Sequence, residues 1–577
     1  MNLAPLARLG CVLGAWALFF LASPGVVCSD GSLLLALAAA AVWVWAASRP
    51  GRKALLIEWL AAAIGLSAIS WWTTYVLLIT LLAVALVPAL YVALSGVLLR
   101  RLARRWPLAL AAPAAWMALE TLRGWVEPPL GFGWLRLAHH ATAHDWLVGS
   151  ARVWGGYGLG WAIAALAGGL AAELGARFAR GGGMTAAGRA PTPHGQAARN
   201  WIARALATGP LALAVVLSLA TSAPPTVPGP RFLLVQPAFE QQRKMNPDSS
   251  APAELVELTR RASEALPERP GRPRADLVGW GESMISVFGL SLASEGVASA
   301  WQRGLRTLPW DPARSGPWAE LDAGERQLVQ RLLRERHVLP AGAAFLSGAE
   351  MYLPRGSEIR RTTAAALWGA DGQRLGWGAK LHLVPGGETM AGLERWAWVR
   401  DTAFELAGYV PDLVPAERTE VVALPVQGMR AVRLGLSVCF DNAFDDPYVE
   451  PLRRSDLDFH VILSNEAWYV RSCEYDQMLA FTRLITVQTG RSMVRITNSG
   501  VTALFGPDGH ELARLVVNGE DRMVGGSLCV DVPIPAAGQE GERTPFVQLD
   551  PWLRWLCVLL PLALLALRRP APVTPQA

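Results

Sequence analysis

Long apolar runs alternate with short polar connections over the first 222 residues, and one more apolar run lies near the C-terminus. A helix that crosses a bilayer needs about 20 mostly apolar residues, so runs of this order predict transmembrane spans. The pattern predicts eight spans, at residues 9–28, 32–47, 54–71, 75–99, 107–119, 155–176, 205–222 and 551–567.

The segment between the seventh and eighth spans has the alternating pattern of a water-exposed α/β domain. It follows a stiff proline-rich stretch at 223–230. Nine short runs rich in β-branched and aromatic residues predict strands, and three stretches with helical spacing predict helices at 252–266, 317–336 and 474–489. Strands with intervening helices indicate layered α/β architecture, and nine strands indicate two sheets.

These patterns divide the chain into three predicted parts. Residues 1–222 form a membrane domain of about seven transmembrane helices, and residues 223–550 form a globular domain. Residues 551–577 form a C-terminal transmembrane helix and a short tail.

Composition narrows the class of protein. Hydrophobic residues make up 52% of the chain and charged residues 17%, against about 25% charged in soluble domains. A disordered chain and a wholly cytosolic enzyme are thereby excluded. Residues 1–222 carry 16 Lys and Arg but 6 Asp and Glu, so the basic excess lies among the spans and does not indicate nucleic-acid binding.

The basic residues also predict an orientation. The connections after spans one and three carry no Lys or Arg. Basic residues follow spans two, four, six and eight: Arg49, Arg52, Lys53, Arg100, Arg101, Arg104, Arg105, Arg177, Arg180, Arg189, Arg199, Arg568 and Arg569. Because positively charged loops stay in the cytoplasm, both termini are expected there and the globular domain on the outer side.

Three segments of the globular domain carry side chains suited to acyl chemistry. Cys439 follows the apolar run 434–438, Glu282 follows the run 276–280, and Lys380 lies in a Gly-rich apolar stretch. Each alone has an ordinary interpretation: a buried structural thiol, a solvated carboxylate and a surface ammonium. Together they supply the nucleophile, the base and the oxyanion-stabilising cation that acyl transfer requires, without a histidine.

The order Glu282, Lys380, Cys439 resembles the carbon–nitrogen hydrolase (nitrilase) superfamily. Further motifs agree: Leu-His-Leu-Val-Pro-Gly-Gly-Glu at 381–388, Ser-Asn-Glu-Ala-Trp at 464–468 and Thr-Asn-Ser-Gly at 497–500. Leu-Arg-Gly-Trp at 122–125 and Gly-Phe-Gly-Trp-Leu at 131–135 resemble a periplasmic re-entry loop. With its eight spans, the chain resembles the apolipoprotein N-acyltransferase family of the bacterial inner membrane.

The resemblance implies a multi-pass helical membrane domain and an α-β-β-α two-sheet sandwich on the periplasmic side. It implies that Cys439 takes a fatty acyl chain from a phospholipid as a thioester and passes it to the N-terminal amine of a diacylglyceryl-cysteine apolipoprotein. Glu282 is then the base and Lys380 the oxyanion stabiliser. The supporting or substrate-binding residues are Glu388, Asp441 and Trp468. No cofactor, metal or nucleic acid is expected, and the chain is expected to be a monomer.

The chain departs from the family pattern in three places. Cys439-Phe440-Asp441 replaces Cys-Tyr-Glu, so the carboxylate is one methylene shorter and its role is open. Met245 stands where an aromatic residue is expected, and 302–337 is a predicted inserted helical excursion.

Other motifs have competing interpretations. His139, His140 and His144 offer imidazoles for a metal, although no Cys or Glu completes the set. The glycines at 156, 158 and 160 fit a dinucleotide loop or, since no strand precedes them, close helix packing. The aromatic-rich segment 393–414 fits either a lid that dips into the membrane or ordinary packing against the domain.

Two other function classes remain open from the sequence. A membrane-tethered amidase or nitrilase would use the same three residues on a small carbon–nitrogen substrate, but it would need only one anchor rather than eight spans. A catalytically inactive scaffold would not need all three positions filled.

Overall fold

The computed structural model describes residues 3–75, 78–126, 130–181, 193–246, 249–311, 318–332, 338–390 and 392–567. The chain forms two compact units. The helical unit comprises residues 1–71, 81–222 and 548–577, and the sheet unit comprises residues 72–80 and 223–547. Arg189, Arg568 and Arg569, which enter the predicted orientation, lie outside the described residues.

In the described part of the helical unit before the sheet unit, seven α-helices overlap the seven spans predicted there, and one further α-helix of four residues lies outside them. Its helices before the sheet unit are α1 Pro5–Ala22, α2 Leu33–Ala47, α3 Ala54–Ile69, α4 Leu78–Leu102, α5 Leu108–Trp125, α6 Asp145–Val148, α7 Ala151–Gly181 and α8 Pro193–Ala220. In the described part of the chain, five helices are long and apolar enough to cross a membrane, and α2 and α3 are shorter apolar helices. The chain is a membrane protein with several spanning helices.

The first helix ends earlier than the predicted span at 9–28. The helix stops at Ala22 because Ser23-Pro24-Gly25 follows: the residue before a proline is disfavoured in the helical conformation, and Gly25 has a φ of +80°. The apolar residues 26–28 therefore belong to the connection rather than to the helix.

The glycines of α7 serve close helix packing. A Cβ placed on Gly160 would lie 2.7 Å from Met117 Sδ in α5, and one placed on Gly158 would lie 2.0 Å from the ring of Trp154, one turn earlier in α7 itself. Small residues allow such close contact between apolar helices. The dinucleotide-loop interpretation is therefore wrong.

The histidines that suggested a metal site are engaged in a local turn. His139 Nδ1 accepts the Arg136 N–H at 3.0 Å, and His140 Nδ1 lies 3.3 Å from the Leu137 carbonyl oxygen. Among the described residues, no group of three His, Cys, Asp or Glu is arranged to hold a metal ion.

The sheet unit contains two mixed sheets. Its strands are β1 Thr226–Gln236, β2 Leu277–Trp280, β3 Leu292–Ala293, β4 Ala344–Arg355, β5 Glu358–Trp368, β6 Arg374–Ala379, β7 Val421–Leu424, β8 Val432–Val438, β9 Phe459–Ser464, β10 Ser492–Thr497, β11 Ala503–Phe505, β12 Glu511–Arg514 and β13 Gly526–Pro535. The first sheet has the order β13-β1-β2-β4-β5-β6, with β3 beside β4, and the second has the order β12-β11-β10-β9-β8-β7. In each sheet the three central strands are parallel, β1-β2-β4 and β8-β9-β10.

The helices of the sheet unit are α9 Gln241–Met245, α10 Ala251–Glu264, α11 Val297–Gln302, α12 Trp318–Gln330, α13 Ala397–Ala407, α14 Asp446–Arg454 and α15 Glu474–Thr489, and α16 Pro545–Ala566 leads back to the helical unit. Of these, α10, α11 and α12 pack on the first sheet, and α14 and α15 pack on the second. Alternate residues of β1 show the layers. Phe232 and Leu234 belong to the core between the sheets, and Leu233 and Val235 belong to the core beneath α10 and α12. The predicted fold class, apolar spanning helices and an α-β-β-α sandwich, is confirmed.

The nine predicted strands, at 232–236, 276–280, 344–347, 363–368, 420–425, 432–438, 459–464, 492–497 and 526–532, overlap β1, β2, β4, β5, β7, β8, β9, β10 and β13. The strands β3, β6, β11 and β12 were not predicted. They are short or rich in glycine, so they lack the β-branched signal on which strand prediction depends. The described part of the inserted region 302–337 contains α12 as predicted. Its Trp318 packs with Tyr352 and Ile359, while its Glu325 accepts hydrogen bonds from Trp368 Nε1 at 2.8 Å and from Arg374 at 3.1 Å.

Candidate active site

A cavity of about 820 Å³ opens in the sheet unit where β2, β6, β8 and β9 end. Carboxyl ends of parallel strands converge at such edges, so side chains just beyond each strand meet there. The cavity brings together five of the six predicted site residues. Its polar and aromatic lining includes Gln241, Lys244, Glu282, Lys380, Glu388, Tyr409, Cys439, Asn465, Trp468 and Tyr469.

Cys439 lies at a sharp turn directly after β8. Its φ of +48° is unusual for a residue with a side chain, and the chain continues into a 3₁₀ turn over Cys439–Ala443. A strained strand-to-turn junction presents a nucleophile rigidly at the edge of a sheet. Cys439 is only 6% exposed, so the thiol faces the cavity rather than bulk water.

Glu282 follows β2 with its main chain pressed against a glycine of the neighbouring strand β4. A Cβ on Gly348 would lie 2.6 Å from Glu282 Cα and 2.5 Å from Ser283 N, so only glycine fits there. Ser283 itself has a φ of +56°. The close approach fixes where the Glu282 carboxylate, 6% exposed as a residue, enters the cavity.

Lys380 follows the edge strand β6 and is 1% exposed. Its Nζ donates to Glu388 Oε1 at 2.8 Å and lies 3.6 Å from Glu282 Oε1. Glu388 Oε2 also accepts the Val384 N–H at 2.8 Å. One buried ammonium is therefore shared by two carboxylates, a geometry that offsets the cost of burying its charge.

Burial and mutual charge set the proton affinities of the three central residues. Burial raises the pKa of Glu282, while the Lys380 ammonium opposes that shift. Burial also raises the pKa of the Cys439 thiol well above its usual value, and the negative charge of Glu282 adds to the effect. Burial alone would lower the pKa of Lys380, but its anionic neighbours hold that pKa well above normal. The resting Cys439 thiol is therefore protonated, and the neighbouring Glu282 carboxylate binds a proton more readily than an ordinary glutamate does.

Asp441 supports the backbone around the nucleophile and does not line the cavity. Its Oδ1 accepts the N–H groups of Leu381 and His382 at 3.0 and 2.8 Å, and its Oδ2 accepts the Val438 N–H at 2.9 Å. Burial raises the pKa of Asp441 to about 6. The shorter carboxylate thus ties the loop after Lys380 to the end of β8.

Trp468 lies on the cavity wall in the turn after β9. Beneath it, Glu466 Oε1 accepts from the Arg495 guanidinium at 2.8 Å, and both side chains are buried. This ion pair fixes the turn that carries the indole ring. Trp468 itself is partly buried.

Several cavity residues were not predicted as site residues from the sequence, although Tyr409 belongs to the aromatic-rich segment 393–414. Lys244 enters from α9, and its Nζ donates to the Glu282 carbonyl oxygen at 2.9 Å. Tyr409 donates to the Gly387 carbonyl oxygen at 2.9 Å, which braces the loop before Glu388. Tyr469 follows Trp468. A lysine in a polar helix and tyrosines in connections carry no sequence signal that separates them from surface residues.

Two tryptophan side chains of the aromatic-rich segment 393–414 are exposed. Trp396 is 57% exposed and Trp398 is 69% exposed, and their rings stack at a centroid distance of 6.4 Å. Ordinary packing against the domain does not describe these two side chains. Tyr409 of the same segment reaches the active-site cavity.

Two family models match the chain. The model described as apolipoprotein N-acyltransferase N-terminal domain matches residues 9–169, and the carbon–nitrogen hydrolase model matches residues 242–525. The chain belongs to the apolipoprotein N-acyltransferase family.

Curated relatives carry the same family name. The apolipoprotein N-acyltransferase of Geobacter metallireducens is 25% identical over 75% of this chain and 72% of its own length. That of Methylococcus capsulatus is 25% identical over 70% of this chain and 65% of its own length. That of Chromobacterium violaceum is 29% identical, but the match spans 29% of this chain and only 30% of the relative.

Among solved structures, an amidase from Nesterenkonia sp. aligns with 58% of this chain and 100% of its own, at 18% identity and a TM-score of 0.33.

Proposed function

We propose that the chain transfers a fatty acyl group from a membrane phospholipid to the N-terminal amine of a diacylglyceryl-cysteine apolipoprotein, the last step of lipoprotein maturation. The observation that carries the proposal is the buried constellation of Cys439, Glu282 and Lys380 in one cavity of a membrane protein of this family. Trp396 and Trp398 have exposed indoles and belong to the segment 393–414, whose Tyr409 lines the cavity. They provide an apolar surface of the kind that a lipid substrate requires.

The first half-reaction loads the enzyme. Glu282 takes the thiol proton as Cys439 Sγ attacks the ester carbonyl carbon of the phospholipid. Lys380 stabilises the oxyanion of the tetrahedral intermediate. When that intermediate collapses, the carbon–oxygen bond breaks, Glu282 returns the proton to the departing glycerol oxygen, and a thioester and a lysophospholipid result.

The second half-reaction unloads it. The neutral amine of the apolipoprotein attacks the thioester carbonyl carbon, and the new oxyanion again lies by Lys380. Glu282 takes a proton from the attacking nitrogen, the carbon–sulfur bond breaks, and the proton passes to the Cys439 thiolate. The product is an amide and the free enzyme.

The test uses the full-length chain in detergent. Intact-protein mass spectrometry after exposure to phospholipid is expected to show one added acyl group, which then moves to a diacylglyceryl-cysteine peptide. An N-acetylated form of that peptide is the matched control, because it lacks the attacking amine, and it should leave the acyl-enzyme loaded. Free fatty acid released at equal rates with both peptides would instead indicate a hydrolase and overturn the proposal.

The proposed orientation places the sheet unit in the periplasm. The support is the clustering of Arg and Lys at the ends of alternate spans, such as Arg100 and Arg101 in the last turn of α4 and Arg104 and Arg105 just after it. A reporter inserted after Arg105 is expected to respond as cytoplasmic, and one inserted within residues 300–311 as periplasmic. Equal responses at the two sites would contradict this orientation.

A further inference from the structure

The cavity contains a second buried lysine whose hydrogen-bond partner is neutral. Lys244 is 8% exposed, and its Nζ donates to the main-chain carbonyl of Glu282 at 2.9 Å. Lys380, by contrast, lies within 4 Å of two carboxylates. Burying an ammonium without a carboxylate partner costs free energy, so a purely structural role would be served as well by an uncharged side chain.

The helix that carries Lys244 is held firmly against the ends of the central strands. Asn465 Nδ2, just beyond β9, donates to Gln241 Oε1 at 2.8 Å. Asn498, just beyond β10, donates from Nδ2 to Asn465 Oδ1 at 2.9 Å, and its carbonyl oxygen accepts the Ala238 N–H at 2.7 Å. The position of the Lys244 ammonium is thus set by the same strand ends that set the active site.

A charge count of the cavity indicates what this ammonium does. At rest, the carboxylates of Glu282 and Glu388 balance the ammonium groups of Lys380 and Lys244. When Glu282 takes the thiol proton, its negative charge passes to Cys439 and the total is unchanged. Without Lys244, the cavity would hold a net negative charge before and during the reaction, which disfavours a buried thiolate.

We propose that Lys244 is a positioning residue for the thiol chemistry: its buried charge stabilises the Cys439 thiolate and the oxyanion that follows. Its influence on acyl transfer rests on the proposed function, whereas its influence on the thiolate does not. It acts through Cys439 and Glu282, and Lys380 keeps the direct contact with the carboxylates.

The proton affinities around Lys244 support this role. Burial lowers the pKa of Lys244 to about 8, an effect that the charges of Glu282 and Cys439 oppose. The ammonium is therefore charged at pH 7 and loses its charge as the pH rises through 8. Burial raises the pKa of Tyr409 to about 12 and that of Tyr469 well above its usual value, so both stay neutral over this range.

The remaining charged groups of the cavity are accounted for. Glu388 is bound to Lys380. Glu350, which also lines the cavity, lies 3.3 Å from the Arg361 guanidinium, which pairs with Asp311 and Asp412 as well, and burial raises the pKa of Glu350. Beside Lys244 on α9, Arg243 pairs instead with the exposed Glu254. Arg243 therefore provides a neighbouring cation that does not line the cavity.

The test compares Lys244→Met, Lys244→Arg and the control Arg243→Met in the full-length protein in detergent. The rate at which iodoacetamide alkylates Cys439 is measured against pH by mass spectrometry of the peptide that carries it, because Cys28 and Cys529 are exposed and also react. Lys244→Met is expected to slow alkylation about tenfold at pH 7, where the wild-type ammonium is charged, and to approach the wild-type rate above pH 8, where that ammonium is neutral. Arg243→Met is expected to match the wild type.

Lys244→Arg keeps the positive charge at all accessible pH values. Acyl-enzyme formation by the wild type is expected to decline above pH 8, and this decline is expected to move to higher pH in Lys244→Arg. An unchanged alkylation profile in folded Lys244→Met, an equal shift in Arg243→Met, or an unmoved alkaline decline in Lys244→Arg overturns the proposal. If Lys244→Met fails to fold, Lys244→Arg decides. If Lys244→Met changes the alkylation profile but the wild type never gains an acyl group, the proposed function alone is refuted.

Discussion

Replacement of Cys439 by alanine is expected to abolish the acyl-enzyme completely. Other groups that line the cavity can bind or polarise a substrate, but the thioester needs this sulfur atom. Intact-protein mass spectrometry after incubation with phospholipid should show one added acyl group in the wild type and none in Cys439→Ala. Transfer to the acceptor peptide should disappear with it.

Cys473→Ala is the matched control for that experiment. Cys473 is also buried in the sheet unit, at 6% exposure, but it lies directly before α15 and its Sγ contacts Gln477 Nε2 at 3.5 Å. The control variant is expected to gain the acyl group as the wild type does. An acyl group that still attaches to Cys439→Ala would place the nucleophile elsewhere and refute the assignment.

The residues that meet in the site were predictable where a buried strand precedes them. Cys439 and Glu282 follow the mostly apolar strands β8 and β2, and such runs mark central strands of a covered sheet. β2 and β8 belong to different sheets, so their convergence also requires the two sheets to stack with the carboxyl ends of their parallel strands on the same side. Trp468 follows β9 in the same way.

The path of Lys380 into the site was not predictable in the same terms. Its strand β6 reads Arg-Leu-Gly-Trp-Gly-Ala, which lacks strand propensity. The glycines instead allow close contact between the sheets: a Cβ on Gly378 would lie 3.0 Å from Leu436 Cβ in β8. This contact brings the end of β6 close to Cys439, and it depends on tertiary packing that no local pattern encodes.

The role of Asp441 and the location of Lys244 in the cavity could not be predicted from the sequence either. Asp441 accepts three main-chain N–H groups from two separate segments, an arrangement that only the folded chain creates. Lys244 lies in a short helix whose polar sequence is typical of any solvent-exposed helix. In both examples the chemistry is set by which backbone groups the fold brings near, rather than by the residue's neighbours in sequence.

Glu282→Gln provides the second large expected effect. The amide has the shape of the carboxylate but cannot take the thiol proton, so acyl-enzyme formation is expected to slow by at least about 10²-fold. Because burial raises the pKa of Glu282, the wild-type rate should also fall with decreasing pH at values above the usual glutamate pKa of about 4.3. Below its pKa the group is protonated, so this acid-side decline should be absent from the residual activity of Glu282→Gln.

The matched control is Glu325→Gln, which changes another buried carboxylate of the sheet unit. Glu325 lies on α12 and binds Trp368 Nε1 and Arg374, and burial raises its pKa as it does that of Glu282. Glu325→Gln is expected to lower the thermal unfolding midpoint. The folded variant should still form the acyl-enzyme at a rate close to that of the wild type. Both rates are measured from the time course of the acyl mass between pH 4 and 9. If Glu282→Gln loads at the wild-type rate with an unchanged acid-side decline, a different group is the base, because the proposed mechanism gives the thiol proton no other acceptor.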